Sequence, residues 1–164
     1  WEMADKMSLD LVAKRLVTNQ LVLTIGYDRS NIDNGEYEGE VTIDRYGRSI
    51  PQHSHGTINL PRHTSSTKKI SDATMELFER IIDRKLTVRR LTLAACGVLR
   101  EEDVPNVESY EQMSIFDMER AEEDRERENV QEQKERALQE AMIEIKQKFG
   151  KNAVIKAKNL EKGG

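Results

Sequence analysis

The sequence offers almost nothing for covalent cross-linking, because it contains a single cysteine, Cys96. No disulfide can form within the chain, which agrees with a reducing, cytoplasmic setting. No apolar run approaches the roughly 20 residues that span a bilayer, so a membrane is not an expected partner. Aromatic residues make up only 5% of the chain, and 37% hydrophobic residues stand against 34% charged ones. That is too polar for one compact globule along the whole length, and a small core with long solvated segments is expected. Metal chemistry also lacks its signatures. His53, His55 and His63 are neighbours, but no paired cysteines and no His-Glu-x-x-His spacing accompany them. There is no glycine-rich phosphate loop and no nucleophile motif. The amino terminus carries Glu2, Asp5 and Lys6, unlike a signal peptide. A start at Trp1 reads as a piece of a longer chain.

Charge is present in quantity and is segregated. Residues 1–50 hold six Lys/Arg against nine Asp/Glu, a net of −3, and residues 51–99 hold eight against four, a net of +4. Residues 101–135 hold four against fourteen, a net of −10, and residues 136–164 hold seven against three, a net of +4. A polyanion would therefore meet residues 51–99 or the C-terminal end and be repelled by the middle. The carboxylates of 101–135 read as a solvated helix face, not as a catalytic pair.

Periodicity supplies the elements. Met3, Met7, Leu11, Val12 and Leu16 recur at helical spacing and predict a helix over 2–17, ended by Thr18-Asn19. Residues 20–27 alternate as a strand, with Leu21, Leu23, Ile25 and Tyr27 on one face. Turn chemistry follows over 28–36, and 37–50 reads as a small hairpin with Gly47 near its turn. A second core strand spans 55–60, with Ile58 and Leu60 inward, Thr57 and Asn59 outward, and Pro61 as its stop. Ser65 or Ser66 caps an amphipathic helix whose stripe is Ile70, Ala73, Leu77, Phe78 and Ile81. A third strand covers 87–99, with Leu91, Leu93 and Ala95 on one face and Val88, Arg90, Thr92 and Ala94 on the other. An acidic linker with Pro105 occupies 100–116, and a long helix runs from 117 to 149. The fold class is α+β: a small antiparallel or mixed sheet of split β-α-β type, two helices on one face, then a linker and a long C-terminal helix.

Three features could carry function. The uncovered sheet face would show Thr24, Thr57, Asn59, Arg90 and Thr92, with Arg89 at its edge and no acidic residue. Hydroxyls and arginines at strand spacing suit a phosphate backbone, and the competing reading is a plain solvated face. Arg62, Ser65, Ser66, Thr67, Lys68 and Lys69 surround a helix N-terminus, where free amides attract anions. Simple capping with solvated lysines is the alternative. Gln112-Met113-Ser114-Ile115-Phe116 places two apolar residues in a polar segment, which suits a peptide that inserts into a partner's pocket. Ile115 and Phe116 folding back, or stapling the next helix, is the alternative.

Several stretches resemble the C-terminal half of bacterial UmuC-like Y-family translesion DNA polymerases, the ImpB/MucB/SamB family of DNA repair proteins. They are Trp1–Lys6, Leu16–Asp28, Gly56–Leu60, Thr64–Thr67, Val88–Leu91 and Ile145–Ala153. The resemblance implies a little-finger DNA-binding domain over 1–99, lacking its first strand. It implies a linker with a sliding-clamp-binding peptide over 100–116 and a helical extension over 117–164. It also implies template-primer duplex DNA and the replication sliding clamp as partners, with Arg89 and Arg90 matching the arginine pair of the family's last strand. No cofactor is expected in this chain, since the palm with its Mg2+-binding carboxylates is absent from it. The bare sheet edge left by the missing strand would invite self-association. The rival reading is a helical interaction or dimerisation module that pairs through Leu138, Met142, Ile145 and Phe149.

Overall fold

The computed structural model describes residues 1–154 except 34, 36 and 105–114, and it describes side chains of the last helix from residue 126 onward. Three long antiparallel strands form the centre, with β1 (Leu16–Tyr27) between β4 (Ser54–Thr64) and β5 (Val88–Cys96). Helices α1 (Glu2–Ala13) and α3 (Thr67–Ile81) lie against one face of it. The architecture is the expected α+β arrangement, followed by the long helix α4 (Ile115–Phe149).

The central strand β1 (Leu16–Tyr27) carries the core. Its Leu21, Leu23, Ile25 and Tyr27 are buried in strict alternation. Leu21 joins Ala4, Leu11, Ile70 and Ala73 in one cluster, and Leu23, Ile25 and Tyr27 join Leu77 in a second. Helix α3 begins as expected at Ser66, whose hydroxyl accepts from the Lys69 amide at 3.2 Å. Its apolar stripe buries Ile70, Ala73 and Leu77 against β1 and β4 (Ser54–Thr64).

Several details differ from the expectations. The helix expected over 2–17 stops at Ala13, because Arg15 takes φ 53° and turns the chain. Leu16 and Val17 then pair with Arg100 and Leu99 of β6 (Leu99–Arg100), a partner that no local window contains. Thr18 and Asn19 lie inside β1, and the Thr18 hydroxyl donates to the Cys96 carbonyl at 2.5 Å. Strand β4 runs past Pro61 to Thr64 instead of stopping there. It is an edge strand, and its register against β1 shifts between Gln20↔Asn59 and Thr18↔Thr64. Pro61 falls in that irregular stretch, where a missing ladder N–H costs little. The strand expected over 87–99 is broken at Gly97 (φ 58°) into β5 (Val88–Cys96) and β6. Finally, the helices do not fully cover the inner face of β5. Leu91 pairs with the buried Ile25 yet stays 39% exposed, because β5 is the other edge of the sheet.

Two smaller elements follow β1. The expected turn region holds the short helix α2 (Ser30–Asp33), capped by Asp28, whose carboxylate accepts from the Ser30 amide at 2.9 Å. The expected hairpin is present as β2 (Val41–Ile43) and β3 (Ser49–Pro51), turning at Gly47 with φ 74°. Among the described residues no helix is long and apolar enough to cross a membrane.

Candidate nucleic-acid interface

The face of the sheet opposite the helices can be read off the register. Thr24 lies between His55 of β4 and Thr92 of β5, Val22 between Thr57 and Ala94, and Gln20 between Asn59 and Cys96. No acidic residue occupies any of these positions. Two cross-strand bonds stiffen the surface: Gln20 Nε2 donates to Asn59 Oδ1 at 2.9 Å, and Thr24 Oγ1 lies 3.1 Å from His55 Nδ1. Neither Gln20 nor His55 was expected on the open face, and His55 was weighed only as a metal ligand. The alternation that places Thr24 and Thr57 outward was signal enough to find both.

The arginine pair owes its position to a bulge. Gly26 pairs with Arg90 and Tyr27 with Val88, so Arg89 is an extra residue with no opposite number. Val88 therefore shares a register with the buried Tyr27, not with the open-face residues as alternation suggested. Arg90 lies across from Gly26, where an added Cβ would sit 3.6 Å from Arg90 Cβ. Both arginines are exposed, and among the described residues neither forms an ion pair within 4 Å. Arg89 still acts at longer range on Asp28, whose carboxyl is held below its ordinary value first by the Ser30 hydrogen bonds and then by that cation.

The second basic segment has a different fate. Ser65, Ser66 and Thr67 at the start of α3 are buried, and α4 lies over them. Glu135 accepts from Ser66 Oγ at 2.7 Å and from the Lys68 amide at 3.0 Å. Gln139 donates to the Ser65 carbonyl at 3.0 Å and to Thr67 Oγ1 at 2.9 Å. Glu128 reaches Arg62 at 3.0 Å and Lys69 at 2.6 Å, and Glu132 reaches Lys69 at 2.5 Å. Partial burial works against the Lys69 ammonium, but the two carboxylates outweigh it and raise its pKa above the ordinary value. Glu128 is correspondingly lowered, chiefly by its hydrogen bond to Lys69. At this helix N-terminus, where free amides attract anions, the Lys68 amide is thus met by the Glu135 carboxylate and the Lys69 amide by the Ser66 hydroxyl. A groove of about 440 Å³ lies between the two helices, bordered by Lys68, Lys69, Asp72, Glu128 and Gln131. The roles of Glu128, Glu132 and Glu135 were not legible in the sequence, where they were part of a solvated acidic face.

The remaining candidates divide. Gln112, Met113 and Ser114 lie outside the described residues. Ile115 and Phe116 open helix α4 by their backbone, and their side chains lie outside the described set. The apolar seam expected on α4 is split: the helix contacts the chain's own α1 and Met142 is 7% exposed, whereas Leu138 and Phe149 are 60% and 68% exposed. Among the described residues no group of three His, Cys, Asp or Glu comes together as a metal set.

Residues 1–112 match the model of the impB/mucB/samB family C-terminal domain. No curated protein matches the chain.

Proposed function

The chain belongs to the impB/mucB/samB family, whose C-terminal domain its residues 1–112 match, and from that premise we propose that its open sheet face grips duplex DNA without reading sequence. The family theme is Y-family polymerase and DNA repair; the grip on template-primer duplex during translesion synthesis is our reading. The observation that supports it is the composition of the face: amide, hydroxyl and imidazole side chains at strand spacing, an arginine pair re-aimed by a bulge, and no carboxylate at the paired strand positions. Such groups bind phosphates by charge and hydrogen bonding, which positions a duplex but specifies no base. Nucleotidyl transfer, with its Mg2+, belongs in this reading to a palm that these residues do not contain.

The test is fluorescence anisotropy on a labelled duplex over a range of salt. Replacing Arg89 and Arg90 with alanine is expected to weaken binding on the order of tenfold and to flatten the salt dependence by about two phosphate equivalents. Unchanged affinity and slope would remove the sheet face from the proposal.

A second contact is proposed for Gln112–Phe116, as the peptide that docks on a sliding clamp. Its glutamine, aliphatic and aromatic anchors in an acidic linker support this. Gln112→Ala with Phe116→Ala is expected to abolish clamp capture and leave duplex affinity unchanged. Clamp capture that survives the double substitution would exclude the peptide.

A further inference from the structure

The basic segment at the start of α3 and the open face are parts of one strand-to-helix connection, and this raises the question of what α4 does there. On β4, Arg62 follows the open-face residue Asn59 by three positions, or about 10 Å of strand. Arg62 is the next cation along β4 from that face, and its guanidinium shares the Glu128 carboxylate with Lys69 of α3, so the two charges stand together beside this edge strand. Both cations are already engaged, by Glu128 and by the pair Glu128 and Glu132. The contact is polar throughout its upper half: beyond those ion pairs it consists of Glu135 on Ser66 and Lys68, and Arg136 on Ser65 and Glu101 at 3.2 and 2.6 Å. Among the described residues of α4, the buried ones are Gln139 and Met142, further along the helix. Ion pairs that are a third or more exposed add little net stability, so this half of α4 can leave without unfolding the core.

We propose that α4 is an internal competitor of DNA: its carboxylates Glu128 and Glu132 hold Arg62 and Lys69 in the free protein and yield them to backbone phosphates when duplex binds. This rests on the sheet-face reading and adds its regulation. In the strapped state the protein binds duplex through the face alone. In the released state two more cations join, and affinity and salt dependence rise together.

The experiment compares two charge-matched doubles in the full chain by duplex binding over a salt range. Glu128→Gln/Glu132→Gln removes the carboxylates that occupy Arg62 and Lys69. Glu126→Gln/Glu144→Gln removes the same charge from exposed positions of the same helix. The first is expected to raise affinity about threefold to tenfold at low salt and to steepen the slope by one to two phosphate equivalents, roughly −0.9 each. The second is expected to change affinity less than about twofold. Adding Arg62→Ala/Lys69→Ala to the first double is expected to return the slope to that of the unaltered protein. Equal gains from both doubles, or no gain from the first, overturns the competitor. The arginine pair is the separate control. If Arg89→Ala/Arg90→Ala weakens binding while Glu128→Gln/Glu132→Gln does nothing, only the strap is wrong. If the arginine double has no effect, the face itself is wrong.

Discussion

Single residues carry two demands that their neighbours make plain. Asp44 accepts from four donors at the hairpin turn: the Tyr46 and Arg48 amides at 2.8 and 3.0 Å, and Arg48 Nε and Nη2 at 2.8 and 2.7 Å. These bonds, led by the Arg48 side chain, hold its carboxyl down to about 2 against an ordinary 3.8. A depressed carboxyl contributes its stability above the ordinary value and loses it as pH falls through the lowered one. Hydrogen-exchange protection of β2 and β3 is therefore expected to persist from neutral pH to about 4 and to fade as pH drops toward 2. A carboxyl NMR titration with a midpoint near 4 would show that the turn does not hold Asp44 this way. In the same hairpin the Arg48 guanidinium stands 5.0 Å from the Tyr46 ring, a further weak tie across an exposed turn.

At the scale of elements, the contact of α3 with β4 sets how closely the covered side of the sheet can be packed. Gly56 lies opposite Leu23 on that side, and a Cβ there would sit 2.8 Å from Ile81 Cγ2 and 2.9 Å from Leu77 Cδ1. A Cβ at those distances forces the Leu77 and Ile81 side chains, or α3 itself, to shift. Gly56→Ala is expected to cost about 1–3 kcal/mol, as overpacked cores do, read as a lower denaturation midpoint at constant slope. A neutral or stabilising result would mean that α3 is more loosely seated than its buried Leu77 and Ile70 imply. The bulge at Arg89 belongs to the same scale. By adding one residue to β5 it keeps Leu91 in register with Ile25 and Arg90 across from Gly26, and leaves Arg89 without an opposite number.

For the whole molecule, charge segregation decides how a polyanion is met. The chain has a net charge of −4, yet residues 51–99 are net positive and residues 101–135 net −10. Folding brings part of that acidic stretch onto the basic one, through Glu128, Glu132 and Glu135. What stays open is the sheet face with Arg89 and Arg90. The arginine substitution therefore belongs to this scale: removing the two cations that stand on the open face should change the salt slope as well as the affinity. A loss of affinity with an unchanged slope would point to lost packing instead of lost phosphate contacts.

The sequence by itself determined the elements whose pattern is local. Alternation in Leu21–Tyr27 named the central strand and its buried face, the stripe Ile70–Ile81 named α3, and Ser66 named its cap. These followed because side-chain periodicity and capping are properties of adjacent residues. The α+β class and the open-face candidates Thr24, Thr57, Asn59, Arg90 and Thr92 came from the same source. What only the tertiary structure decided was pairing at a distance. Leu16 and Val17 became strand because β6 was there to receive them, Pro61 was tolerated because β4 is an edge, and Arg62 and Lys69 met carboxylates from a helix far along the chain. Each of those outcomes depends on which backbone groups or charges a partner segment brings within hydrogen-bonding distance, and no local window of residues contains the partner.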